Sequence, residues 1–247
     1  MVVPAHSPRV YRLRRQRARR LLLILLSTVA SFYFINSSFF CLEKIIINGN
    51  YNIPADELER VLGVEKGINL WHLDTELIEK RLATQPLVAS AQVKRQWPRT
   101  LVVNITERVP VALIVQDGGF FLLDGSGVIM ERLARIGHLN LPLISGIATL
   151  ADLAPGQAIE DECLHAALEV AKQLPSGDLN RLQEIVAVSP TDLKLIWEGN
   201  IVVRFGDCQN ITAKLARLQE ALTGLDAGRP VEYIDVSYAG PPVVKYR

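Results

Sequence analysis

Residues 21–42, LLLILLSTVASFYFINSSFFCL, run for twenty-two positions without a charge, directly behind seven arginines. As a helix such a stretch extends roughly 33 Å at about 1.5 Å per residue, enough to cross a hydrocarbon core of about 30 Å. Arg9, Arg12, Arg14, Arg15, Arg17, Arg19 and Arg20 precede it with no acidic residue among them, and Glu43 and Lys44 cancel just after it. Positive charge resists translocation, so the arginines predict a cytoplasmic tail over residues 1–20, a transmembrane helix over 21–42, and a chain that lies outside the membrane from 43 onward.

A cleaved secretory signal is the rival reading, because Thr28, Val29 and Ala30 supply small residues of the kind a signal peptidase needs. The apolar run continues past them through Phe32, Tyr33, Phe34, Ile35, Phe39 and Phe40. That exceeds the roughly 7 to 15 residues of a signal's apolar region and favours a retained anchor. Ser27 and Ser31 lie one turn apart with Ala30 beside them, a face suited to helix packing, although serines bonding back to their own helix carbonyls are the simpler reading.

Residues 43–247 leave room for one or two compact domains, and a hydrophobic content of 49% can supply their cores. The formal charge of +1 hides an asymmetry: seven positive charges fall in the first twenty residues and the remainder carries −6. Nothing basic is left outside to grip nucleic acid. Three cysteines, Cys41, Cys163 and Cys208, contain no CxxC pair, which excludes a disulfide framework and leaves open a single Cys163–Cys208 bridge.

After the apolar run, Ile45, Ile46 and Ile47 read as a strand closed by Gly49 and Asn50. Pro54 opens a short helix with Leu58, Val61 and Leu62 on one face, stopped at Gly63, and Asp74 caps a second with Leu77, Ile78 and Leu82 on one face. Residues 88–95 and 101–107 are β-rich and separated by a turn that holds Trp97 and Pro98. The order is β-α-α-β-β, two helices covering one side of a three-stranded sheet.

That order, with the phrases EKIIINGNYNI, GINLWHLD and PLVASAQVKRQWPRTLVVNITERVPVA, resembles a POTRA domain over residues 43–110, with Gly49, Gly67, Pro86, Val93, Trp97, Pro98 and Glu107 at positions that match. Its place after one apolar span resembles the FtsQ/DivIB family of bacterial cell-division proteins. Such domains bind other polypeptides, and the resemblance implies no catalysis.

Residues 111–247 form a second unit. Residues 120–123 and 128–130 flank Asp124, Gly125, Ser126 and Gly127 as a hairpin. Ser126 is not a nucleophile elbow, since that device needs GxSxG between a strand and a helix. Residues 161–174 repeat Leu164, Leu168, Ala171 and Leu174 at helical spacing. A meander over 182–205 turns at Gly199 and Asn200, and Ile211, Leu215, Leu218, Leu222 and Leu225 mark a further helix. The chain closes with a strand over 233–238, a turn through Gly240, Pro241 and Pro242, and a short strand over 243–246. The expected class is α+β: a transmembrane helix, a POTRA domain, and a mixed antiparallel β domain with two helices.

The phrases FFLLDGSGVI, VRFGDCQNITAKLARLQ and YIDVSYAGPPVVKYR are similar to the C-terminal β domain of the same family. The resemblance implies binding of FtsB, itself paired with FtsL, through a strand added at the sheet edge. It places the partner-binding positions at Tyr233, Val236, Tyr238, Gly240, Val243, Val244 and Tyr246. Where the family usually has an arginine in this motif the chain has Ser237. A last strand with an unpaired row of N–H and C=O groups is in any case a template for another chain.

Two rival classes fit the sequence less well. A general POTRA-type assembly or secretion factor would carry repeated units or a barrel. A cell-wall hydrolase would need paired carboxylates, a zinc cluster or an activated nucleophile. His6, His72, His138 and His165 are scattered with no metal-ligand spacing, so no metal, cofactor or catalytic residue is expected.

Overall fold

The computed structural model describes residues 8–116, 118–137, 139–148, 152–226 and 228–247, without the side chains of residues 8–17 and Ser176. Helix α1 spans Pro8–Ile35 and holds one segment, Ala18–Ile35, long and apolar enough to cross a membrane. The apolar run is therefore not one helix of twenty-two residues. Asn36 donates its side-chain amide to the Phe32 carbonyl at 2.9 Å, and Ser37 donates its hydroxyl to the Phe34 carbonyl at 2.7 Å. These polar groups compete with the helix ladder and end it. The apolar residues beyond them turn away: Ser38–Phe40 form a 3-10 turn, Cys41 bridges to Asn69, and Leu42 is buried.

Contacts divide the chain into two units, residues 1–82 with 90–105, and residues 83–89 with 106–247. In the first, β1 (Lys44–Asn48) leads through α2 (Ala55–Leu62) and α3 (Thr75–Ala83) to the hairpin of β2 (Val88–Gln96) and β3 (Thr100–Glu107), in sheet order β1-β3-β2. β1 runs parallel to β3, with Ile45 opposite Leu101 and Ile47 opposite Val103. A parallel pair needs a long connection, which the two helices supply. Leu58 and Leu62 of α2, Ile78 and Leu82 of α3, and Leu101, Val103 and Ile105 of β3 are all buried. Leu77, expected on the same face of α3, is 46% exposed. Ile78 and Leu82, four residues apart, take the buried face, and Leu77 points about 100° away from Ile78 around the helix, while its backbone N–H donates to the capping carboxylate of Asp74 at 3.1 Å.

Two half-buried polar ties fix the α2–α3 connection and α3 to β2: Arg95 donates through Nε to the Leu70 carbonyl at 2.8 Å and through Nη2 to that of Leu73, while the Val93 N–H donates to Glu79 Oε1 at 2.7 Å. Gly49 closes β1 with φ +84°, and a Cβ there would stand 2.1 Å from the Ile105 carbonyl oxygen. Gly49→Ala should thus lose about 2 kcal/mol or more of this unit's stability, combining left-handed backbone strain with a backbone clash. Urea denaturation followed by circular dichroism checks it.

The second unit holds one nine-stranded sheet in the order β12-β11-β10-β9-β8-β7-β4-β5-β6. β4 (Pro110–Gln116), β5 (Gly119–Asp124) and β6 (Ile129–Leu133) form an antiparallel meander, as do β8 (Leu182–Ser189), β9 (Asp192–Trp197) and β10 (Ile201–Gly206). The three-residue β7 (Leu143–Ser145), not expected from the sequence, joins them by running parallel to both β4 and β8. Helices α4 (Glu162–Gln173) and α6 (Ile211–Thr223) cover one face, with the single turn α5 (Ser176–Leu179) after α4. Leu164, Leu168, Leu215 and Leu218 meet Ile185, Leu195, Val203 and Ile234 in the main core. After α6, β11 (Val231–Asp235) pairs parallel with β10, and β12 (Val243–Tyr246) pairs antiparallel with β11 at the end of the sheet. β11 stops three residues short of the strand expected over 233–238. All three cysteines are free.

Candidate functional site

β12 is the last strand in the sheet order, so one side of its backbone pairs with β11 and the other faces outward. Asp235 stands opposite Val243, Ile234 opposite Val244 and Tyr233 opposite Lys245. Because side chains alternate along a strand, these pairs sort into two faces. Ile234 and Val244 point to the helix-covered core, whereas Tyr233, Lys245, Asp235 and Val243 share the open face.

The open face is polar and stacked. Arg204 on β10 lies over the Tyr233 ring at 4.0 Å, and Lys245 approaches the same ring at 5.6 Å while pairing with Glu232 at 2.9 Å. Hydrogen bonding and charge from Glu232 raise the Lys245 pKa above its usual value. Val243 stays 45% exposed on this face.

Between β11 and β12 the chain makes a shaped turn. Val236 donates its N–H to the Arg204 carbonyl at 3.0 Å and is buried, continuing the core side of β11. Ser237 turns back on Asp235, donating through N at 3.0 Å and Oγ at 2.7 Å. Tyr238 is 44% exposed and donates its hydroxyl to the Pro241 carbonyl at 3.3 Å. Gly240 lies so close to that ring that a Cβ would meet Tyr238 at 3.2 Å.

The turn is held from α6. Arg217 donates to the carbonyls of Tyr238, Gly240 and Val236, the last two at 3.1 and 3.3 Å. One planar guanidinium thus gathers three carbonyls whose orientation a turn would otherwise leave to water. Lys214, one turn earlier, is buried, with its ammonium donating to the Asp207 carbonyl at 2.8 Å and carboxylate at 2.6 Å and sitting 5.3 Å from the Phe205 ring. The hydrogen bond from Lys214 leads in holding the Asp207 carboxyl below the usual carboxylate range. Together Asp207, Lys214, Arg217, Tyr238 and Gly240 line an open groove of about 510 Å³ beside the turn.

The seven positions expected from the sequence therefore do not form one surface. Tyr233 and Val243 lie on the open face, and Tyr238 and Gly240 line the groove. Val236 and Val244 pack against the core, and Tyr246 is half-buried, with its hydroxyl accepting from the Asp226 N–H at 3.4 Å under the Arg229 guanidinium. Lys214 and Arg217 were not anticipated. Their signal was present: both flank the apolar stripe of Ile211, Leu215 and Leu218, where a cation on a helix meets whatever borders the core.

Among the described residues no group of three His, Cys, Asp or Glu is placed as metal ligands would be. His72 and His165 are exposed, and His6 and His138 lie outside the described residues. Ser126 donates its hydroxyl to Asp124 at 2.8 Å within its tight turn. β12 thus presents an outward backbone edge, a stacked face and a groove.

Among known proteins, two family models between them match most of the chain. The family model "POTRA domain, FtsQ-type" matches residues 40–108, and "Cell division protein FtsQ/DivIB, C-terminal" matches residues 112–237. The chain is 28% identical over 214 residues to the cell division protein FtsQ of Syntrophotalea carbinolica, covering 85% of this chain and 75% of that protein. It is 28% identical over 209 residues to FtsQ of Geobacter sp. strain M21, covering 83% and 75%. To the cell division protein DivIB of Clostridium tetani it is 24% identical over 231 residues, covering 90% and 85%.

Proposed function

The chain belongs to the FtsQ/DivIB family of cell division proteins, and from that premise we propose that it is a non-enzymatic, single-pass scaffold of the division machinery. It sits in the cytoplasmic membrane at the division site, with the arginine-rich tail inside and both folded units outside. Its partners are FtsB and, through FtsB, FtsL, and by holding them it helps recruit and regulate septal peptidoglycan synthesis. The observation that supports this reading is the terminal place of β12 in the sheet, beside a groove whose turn is pinned by Arg217.

The chemistry is strand addition. A partner segment lying along β12 satisfies its backbone groups against the outward edge, which supplies affinity, and seats alternate side chains against Val243 and Tyr238, which supplies register. Pro241 and Pro242 fall in the turn before β12, so neither removes a donor from the strand itself.

Full-length chain in detergent should co-purify FtsB with FtsL, and removal of residues 243–247 should abolish that capture. Retention of FtsB by the shortened chain would remove β12 from the site. A fluorescent fusion at the N-terminus should band at mid-cell, and an even membrane signal from a functional fusion would argue for a general assembly role instead.

A further inference from the structure

We propose that the base of the POTRA unit is a lipid-contacting surface: Trp71 and Trp97, together with Phe34, Phe39 and Phe40, sit in the headgroup boundary of the membrane that α1 enters. The five rings form one connected cluster. Phe34 meets Phe40 at 5.2 Å, Phe40 meets Trp71 and Trp97 at 6.2 and 5.6 Å, Phe39 meets Phe40 at 5.1 Å, and the two indoles stand 4.5 Å apart. Packing on one another does not bury them. Phe34, Phe39, Trp71 and Trp97 keep 57%, 47%, 50% and 43% of their surface exposed. In water, so large a contiguous aromatic patch is unfavourable, whereas the bilayer interface is where amphipathic rings concentrate.

Two polar clamps fix this patch at the end of the helix. Asn69 donates its side-chain amide to the Ile35 carbonyl at 2.7 Å, satisfying one of the last acceptors of α1, and also caps the 3-10 turn Leu70–His72 that carries Trp71. Arg99, which follows Trp97 in the same turn, donates to the carbonyls of Phe39 and Ser38 at 3.3 and 3.5 Å and pairs with Glu43 at 2.9 Å. The helix end and the ring-bearing turns of the folded unit therefore move as one body.

Helix length then sets the depth of that body. From Leu21 to Ile35 the uncharged part of α1 rises only about 22 Å, against a hydrocarbon core of roughly 30 Å. A short span draws its flanking groups toward the core. On one side Arg19 and Arg20 meet this by snorkelling, their stems in the core and their charges in the headgroups. On the other side the group drawn in is the aromatic cluster, because Ile35 is tied to it.

The test reconstitutes the full-length chain into vesicles of phosphatidylethanolamine and phosphatidylglycerol, with and without acyl chains brominated near the headgroup. Of the three tryptophans, Trp197 is fully buried in the other unit. Brominated lipid should at least halve the emission contributed by Trp71 and Trp97. The difference between wild type and the Trp71→Phe, Trp97→Phe chain defines that contribution, and Trp97→Phe alone serves where the double variant misfolds. Emission insensitive to brominated lipid but quenched freely by aqueous acrylamide overturns the proposal. So does equal quenching in the variants, or a chain that alkaline carbonate strips from the vesicles. Capture of FtsB is read in detergent without a bilayer, so this proposal and the division reading fail separately.

Discussion

Asp124→Ala should destabilise the second unit by about 3 kcal/mol, the lower end of what removing one partner of a buried ion pair costs. At roughly 2–4 °C per kcal/mol for a unit of this size, calorimetry should show the melting temperature falling by about 6–12 °C. Asp124 closes the β5–β6 turn by accepting from the Ser126 N–H and hydroxyl and from the Val128 N–H, at 2.8 to 2.9 Å. It also pairs with Arg108 at 2.5 Å, the two side chains being only 9% and 16% exposed. Alanine leaves that guanidinium with only a 3.5 Å approach to Ser126 Oγ. The pH dependence follows from the same contacts. Burial disfavours the charged carboxylate, but the hydrogen bonds from Ser126, Val128 and Arg108 outweigh it and hold the Asp124 pKa below the ordinary carboxylate value. The group therefore takes up its proton more readily unfolded than folded. Its stabilisation is fully present above about pH 5 and disappears as pH falls through about 3.9 toward the lower folded value. The stability gap between wild type and Asp124→Asn should be widest at pH 7 and narrow below pH 4.

Arg217→Ala should weaken binding of FtsB by thirtyfold or more while moving the melting temperature little. Three charge-assisted hydrogen bonds hold the turn over residues 236–240, which is exposed or half-buried beyond Val236, so water can replace them at little cost to folding. Without them water solvates the carbonyls and the folded unit survives, but the turn is no longer fixed before the partner arrives. Ordering it on binding then subtracts from affinity, and about 2 kcal/mol corresponds to a factor near thirty. Arg217→Lys should recover only part of the loss, since an ammonium lacks the planar fork that reaches three acceptors. Titration calorimetry with an FtsB segment, beside a thermal melt, separates this from simple unfolding.

Much of this architecture was legible because it is local. The β-α-α-β-β order, the hairpin at Asp124 and the stripe of Ile211, Leu215 and Leu218 are each set by neighbours within a few residues, where periodicity and turn chemistry act. What escaped reading depends on distant partners. β7 has three residues, too few for any period, and is a strand only because β4 and β8 flank it. The end of α1 at Ile35 was obscured because Phe39, Phe40 and Leu42 are as apolar as the helix before them, although Asn36 and Ser37 carried the stop. At the candidate site the error was one of faces. Alternation along β11 and β12 puts Ile234, Val236 and Val244 on the core side, and applying it would have left Tyr233 and Val243 for the open one. Arg217 borders the apolar stripe of its helix, but the carbonyls it holds were not legible, as only the fold brings that helix against the turn. A charge at Val244 would consequently test the core rather than the edge, and Val243 is the position to change.

The short parallel strand β7 has a mechanical consequence. A strand added along β12 would load the sheet across its hydrogen-bond ladder, which narrows to three residue pairs between β10 and β11 and is narrowest at β7. There only two residues pair with β4 and three with β8. Under tension the sheet would part at this seam, separating a meander bound to the partner from one that continues the POTRA chain. What bridges the seam is α4, whose Leu164 and Leu168 pack in one core with Ile114 of β4 and Ile185 of β8. The helix acts as a splint across the narrowest pairing in the sheet.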